Sequence, residues 1–284
     1  MSGIVVFTDI RTDVDDVGAI AIAAAQSGRP VYGLISTTNA MDSGRALAVL
    51  DNHYDLDARI GIDRNAPSPP PRNPYTRQLA SEFPIGGQGR ITGARRAFIQ
   101  ALRDARRDGN GVEVVSLGSL GTMGRLTRNR RARRLARDVV TGTTIMGGNF
   151  DSGSSEFNVR MDPGAANQVA NRWPGEKRWV GFEQGVDILT GARLRDRPGP
   201  ARRAYELYPS AGGTGRVGDT RSWDKVAIAS VYRPRHFRRS APIDLSFGSN
   251  GETRFSRAGS SRNRFLLNTR PRRTRRFINR RLRS

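Results

Sequence analysis

Short β-branched runs alternate with helix-forming stretches from the start of this chain, and that alternation leaves few ways to fold. Residues 4–8 read as a strand running into acids, and 16–25 as an Ala/Ile-rich helix. Strand, helix and strand follow at 31–36, 43–52 and 59–62. Ala94, Phe98, Ala101, Leu102 and Ala105 recur at helical spacing, and 112–117 then reads as a buried strand. Strand 143–146, helix 163–171 and strand 179–182 continue the pattern. Helices that alternate with strands cover both faces of a parallel sheet. The expected class is therefore α/β, a Rossmann-like open, mostly parallel sheet with helices on both faces. The five prolines of residues 66–74 make that stretch a loop.

Beyond residue 192 the signal changes. A helix is expected over 223–232, a hairpin from 243–247 and 253–255 turning at Ser249-Asn250-Gly251, and a terminal Arg-rich helix over 274–282. No repeat or linker divides the chain. One domain over 1–284 is expected, its Arg-rich portion 233–284 packing back through Phe277, Ile278 and Leu282. The N-terminus lacks the basic and long apolar regions of a signal peptide. No apolar run approaches the roughly 20 residues of a membrane span, so a soluble, intracellular and most simply cytoplasmic protein is expected.

Charge and cysteine bound the chemistry. The chain has 48 basic and 26 acidic residues, no Cys and two His, so any metal must be held by oxygen. All the basic residues except Lys177 and Lys225 are Arg, and the net charge of +22 lies beyond residue 100. Seven Arg fall within 125–137, and 16 Arg against two acids within 233–284. Such a surface suits non-specific, salt-sensitive contact with nucleic acid or another polyanion, although no nucleic-acid-binding motif accompanies it and a codon bias toward Arg would give the same composition.

The first strand runs into Asp9, Asp13, Asp15 and Asp16, four carboxylates within eight residues at the carboxyl end of a parallel strand, where open α/β sheets bind ligands. Helix capping accounts for one or two of them. The remainder repel one another unless a cation or a proton sits among them.

In this setting Asp9 and Asp16 resemble the N-terminal fingerprint of the nucleoside hydrolases of the inosine-uridine type, in the variant with a longer loop. Thr38-Asn39, Leu117-Gly-Ser-Leu120, Met146-Gly-Gly-Asn149, Glu156-Phe-Asn158, Asp162-Pro-Gly-Ala-Ala166, Ser222-Trp-Asp224 and Leu266-Leu-Asn268 follow in the family's order, across nearly the whole chain. The resemblance implies that Asp9, Asp16, Asp224 and the Leu117 carbonyl hold one Ca²⁺, with Asp9 as general base. It also implies that Asp15, Asn39, Glu156 and Asn158 bind the ribose hydroxyls, while Met146 and Asn149 line the sugar pocket. The implied reaction is hydrolysis of an N-ribosyl bond, giving ribose and a free base, by a protein that forms homo-oligomers.

Three departures stand out. Phe7 replaces an Asp, and Arg11 replaces a loop Gly, with pairing to Asp13 or partial neutralisation of the metal site as its expected roles. Trp223 replaces the His that protonates the leaving base, which leaves stacking as its role. His236 is expected to be a solvent-exposed residue rather than a substitute acid. These changes and the Arg load keep a second reading open, a catalytically altered relative serving as a basic structural or nucleic-acid-associated protein. A Mg²⁺-dependent phosphoryl-transfer enzyme is a third, disfavoured by the lack of a Gly-rich phosphate loop.

Overall fold

In the computed structural model, residues 2–26, 28–67, 75–86, 90–208, 216–257 and 259–283 are described. The Pro-rich loop 66–74 therefore lies mostly outside them. The strands are β1 (Gly3–Thr8), β2 (Val31–Ser36), β3 (Arg59–Ile62), β4 (Thr92–Gly93), β5 (Val112–Ser116), β6 (Val140–Met146), β7 (Lys177–Val180), β8 (Leu189–Thr190), β9 (Thr220–Arg221), β10 (Phe237–Arg239), β11 (Ile243–Phe247), β12 (Thr253–Arg257) and β13 (Asn263–Asn268).

Eleven of them form one sheet, in the order β12-β11-β13-β7-β6-β5-β1-β2-β3-β4 with β10 paired to β13. Pairing is parallel from β13 through β4 and antiparallel where β10, β11 and β12 join. The expected mostly parallel α/β sheet is thus observed, including the hairpin at its end. Every residue of β1 is buried, as a strand covered on both faces requires.

Apolar side chains fill both sides. Val6, Ile20, Leu47 and Ile228 belong to one cluster, and Val5, Phe98, Leu102 and Trp179 to the other. Phe7 joins the second, 5.6 Å from Phe98 between ring centroids, so its departure from the family pattern is a core substitution. The terminal helix Pro271–Arg281 buries Phe277 and Ile278, and Leu282 follows it inward, as expected.

Two of the Arg-rich stretch's helices, Gly121–Arg128 and Arg130–Val139, turn Met123, Leu126, Ala132, Ala136 and Val139 to the core. Ten arginines form ion pairs among the described residues, including Arg59 to Asp104 and Arg264 to Glu176, and Arg125 with Asp63. Among the described residues, no helix is long and apolar enough to cross a membrane.

Candidate active site

The acidic loop leaves β1 at its carboxyl end and feeds the helix Asp15–Ala24. Thr8 holds it at the root: its hydroxyl donates to Asp16 Oδ1 and accepts from the Ile10 N–H at 3.1 Å. Thr12 donates to Asp9 Oδ2 at 2.9 Å, and the Asp15 N–H donates to Asp13 Oδ1 at 2.7 Å. Tyr75, fully buried, reaches in to donate to the Asp13 carbonyl at 2.6 Å. At Gly118, after β5, a Cβ would lie 2.7 Å from the Asp9 nitrogen and from Thr37 Oγ1, so only glycine lets this turn approach the loop.

Arg11 has φ +137°, a conformation that disfavours any residue except glycine, and its guanidinium reaches Asp42 at 3.5 Å rather than Asp13. It therefore does not sit in the acid cluster. Backbone strain of this kind costs about 1–3 kcal/mol, a long, partly buried ion pair returns about 0–1 kcal/mol, and glycine loses about 0.5–1 kcal/mol in chain entropy. Arg11→Gly should accordingly stabilise the fold by about 1 kcal/mol. A urea midpoint lower than that of the parent would show that the contacts of the Arg11 side chain outweigh the strain.

The second contribution comes from far along the chain. Helix Trp223–Tyr232 packs against Asp15–Ala24, and both place an acid in the first turn, Asp224 and Asp16, where helix dipoles favour negative charge. The Asp224 N–H donates to Asp15 Oδ2 at 2.7 Å. Lys225, wholly buried, places Nζ 2.9 Å from Asp15 Oδ1 and donates to the Thr190 carbonyl, Tyr205 Oη and Thr220 Oγ1 at 2.9, 3.0 and 3.0 Å. Asp15 is thus held by a lysine that the motif comparison did not single out.

Asp13, Asp16 and Asp224 come together, each offering a carboxylate oxygen within 4.8 Å of the others'. Asp13 was not among the expected ligands. Asp9, which was, instead lines the adjoining cavity of about 240 Å³ with Asp13, Asp224, Leu117, Met146, Glu156, Asn158, Trp223 and others. The sequence did not single out Thr12, Phe157, Arg160 or Phe182 on that wall.

Several expected sugar contacts have protein partners. Glu156 caps its short helix, accepting from the N–H groups of Gly148, Asn158 and Val159 at 3.0–3.1 Å. The Asn158 amide donates to the Leu117 carbonyl at 2.7 Å. Asn149 organises the turn that follows it, through Ser152 and Ser154, and does not line the cavity. Asn39 is exposed and also stays out of it. Trp223 donates its indole N–H to the Phe182 carbonyl at 3.0 Å and lies against the Phe182 ring at 30°, forming an aromatic wall. His236 is partly buried rather than exposed, with Nδ1 3.2 Å from Thr274 Oγ1, and lines no part of the cavity.

Burial raises every acid here. It brings Asp9 to about 6. Burial, followed by the charges of Asp15 and Asp9, brings Asp13 to about 7. Asp16 and Asp224 are pushed well up by burial and then by their neighbours' charges. Asp16 Oδ2 is buried and has no hydrogen-bond partner among the described residues. Three converging carboxylates, one with an orphaned buried oxygen, suit a hard divalent cation, which would supply the missing counter-charge.

No family model matches the chain, and a search of curated proteins returned no match. Solved structures do match. An inosine-guanosine nucleoside hydrolase is 17% identical, covers 99% of both chains and has a TM-score of 0.75. The purine-preferring ribonucleoside hydrolase from Gardnerella vaginalis is 16% identical, over 99% of this chain and 98% of its own, at TM-score 0.75. The type III effector protein XopQ, complexed with adenosine diphosphate ribose, is 13% identical over 99% and 93%, at 0.68. Over essentially its whole length, then, this chain has the nucleoside hydrolase fold.

Proposed function

We propose that this chain hydrolyses the N-glycosidic bond of a ribonucleoside or a related N-ribosyl compound, with Ca²⁺ as its cation. The supporting observation is the convergence of Asp13, Asp16 and Asp224 beside Asp9 at one cavity of a nucleoside hydrolase fold. A bound cation supplies counter-charge and makes a water more acidic; Asp13, Asp16 and Asp224 would hold it, with Asp9 and the Leu117 carbonyl as further oxygens.

The chain's own groups divide the rest. Asp9 takes a proton from water as general base: with Thr12 on Oδ2, its Oδ1 is left to receive it. Met146 and Asn158 bound the sugar side, with Asp15, Asn39, Asn149 and Glu156 shaping the surrounding loops. Trp223 and Phe182 offer a plate on which a heterocyclic base stacks. No histidine or lysine lines this wall, and Arg160 offers a fixed positive charge to a base that leaves as an anion.

The test is a panel of purine and pyrimidine nucleosides, assayed for reducing sugar with added Ca²⁺. At least one compound should release ribose, and chelator should abolish the release. Inactivity across the panel, together with no cation found by elemental analysis, would favour the altered, non-catalytic relative.

A further inference from the structure

The chain has only two lysines among 48 basic residues, and both are buried, Lys225 at 0% and Lys177 at 3% exposure. Wherever a basic side chain with an ordinary high pKa faces water, this sequence uses Arg. Asp15 accounts for Lys225. Nothing comparable accounts for Lys177, whose ammonium has one hydrogen-bond partner among the described residues, the Trp173 carbonyl at 3.2 Å, and no carboxylate. A buried ammonium without a counter-charge is costly. Burial, followed by the charge of Arg262, lowers Lys177 to about 8.

Lys177 lines a cavity of about 600 Å³ at the amino ends of β6, β7 and β13, the sheet edge opposite the acid cluster. Arg137, Arg172 and Arg262 share that wall, and none forms an ion pair among the described residues. Asp244 is the one acid on it. Register fixes the group: the Lys177 N–H donates to the Arg262 carbonyl at 2.8 Å, and Asn263 pairs with Lys177 across the parallel strands. Arg137 and Arg172 lie in the last turns of their helices, where the dipole stabilises a cation by about 0.3–1 kcal/mol. That explains each one singly and still leaves four cations facing one acid.

We propose that this cavity binds a phosphomonoester, its phosphate forked by Arg172 and Arg262 with the Lys177 amine beside it, at a site separate from the acid cluster. Guanidinium groups chelate phosphate oxygens in pairs, an ammonium supplies a point charge, and the volume suits a small phosphorylated molecule.

The test uses the full-length protein and pyridoxal 5′-phosphate, whose aldehyde condenses with a lysine amine, losing water, to an imine that borohydride reduces to a stable amine. Mass spectrometry should place the label on Lys177, at least tenfold faster than with pyridoxal, which lacks the phosphate. Millimolar inorganic phosphate should slow the reaction. Lys225, enclosed and paired, should stay unlabelled and serves as the internal reference. Arg172→Gln with Arg262→Gln, both exposed in the fold, should remove the preference for the phosphate form, and Arg137→Gln should reduce it. Arg272→Gln with Arg273→Gln on the terminal helix should leave it unchanged. Equal rates with the two aldehydes would overturn the site. So would no label on Lys177, a preference that survives Arg172→Gln with Arg262→Gln, or one lost equally in the terminal-helix control.

Discussion

Ribose release should fall by about 10³-fold or more when Asp16 becomes Asn, a loss of roughly 4 kcal/mol in transition-state stabilisation, and Ca²⁺ should no longer raise the melting temperature. The side chain is 1% exposed, accepts the Thr8 hydroxyl on Oδ1 and leaves Oδ2 without a partner. Asn keeps the shape and an oxygen for Thr8. It removes a charge that repels Asp13 and Asp224, so the cation-free variant should melt no lower than the parent. A variant that retains both activity and the Ca²⁺ shift would take Asp16 out of the proposed cation site.

Lys225→Met should destabilise the fold by about 3–5 kcal/mol at neutral pH, the usual result of stripping one partner from a buried ion pair. Lys225 is fully enclosed, and its ammonium is held charged: burial lowers its affinity for the proton, but Asp15 and Tyr205 more than offset that. Without it, Asp15 stays buried beside Asp13, Asp16 and Asp224. Burial already raises Asp15, and losing the lysine raises it further. The folded variant then binds a proton that its unfolded chain gives up near the ordinary carboxylate value of 3.8. Its stability therefore falls as pH rises above that value, and its deficit against the parent should widen from pH 5 to pH 8. Adding Asp15→Asn should recover most of the loss, because the neutral pair leaves no stranded charge. A deficit that is the same at both pH values, with no recovery in the double variant, would mean that Lys225 acts through its packing alone.

The parallel core was legible because its strands are short runs rich in apolar and β-branched residues and helices such as Ala94–Arg107 carry one apolar stripe. β2 and β3 fall at residues 31–36 and 59–62 as expected. Asp16 and Asp224 were legible from their motifs. Asp13 was not, because it reaches the cluster through the loop's path, with Arg11 at positive φ and Tyr75 bonded to the Asp13 carbonyl. Spacing carries no record of either. Asn39 follows the buried Thr38 but turns outward, since the hydroxyls of Ser36, Thr38 and Ser43 already bond one another. Glu156 and Asn149 were expected to meet the sugar; Glu156 lines the cavity while capping its helix, and Asn149 holds the turn beside it through Ser152 and Ser154. The helices Gly121–Arg128 and Arg130–Val139 read as charge because Arg dominates them, and their narrow stripe of small and apolar residues appears only once they lie on the core.

The sheet's two borders differ, yet neither invites a foreign strand. On one side β4 is only two residues long, too short to template a hydrogen-bonded ladder. On the other, β12 exposes Arg254 and Arg257 along its free rim. A second molecule trying to zip onto that rim would bring two guanidinium groups against its own. Strand addition is therefore disfavoured at these two margins.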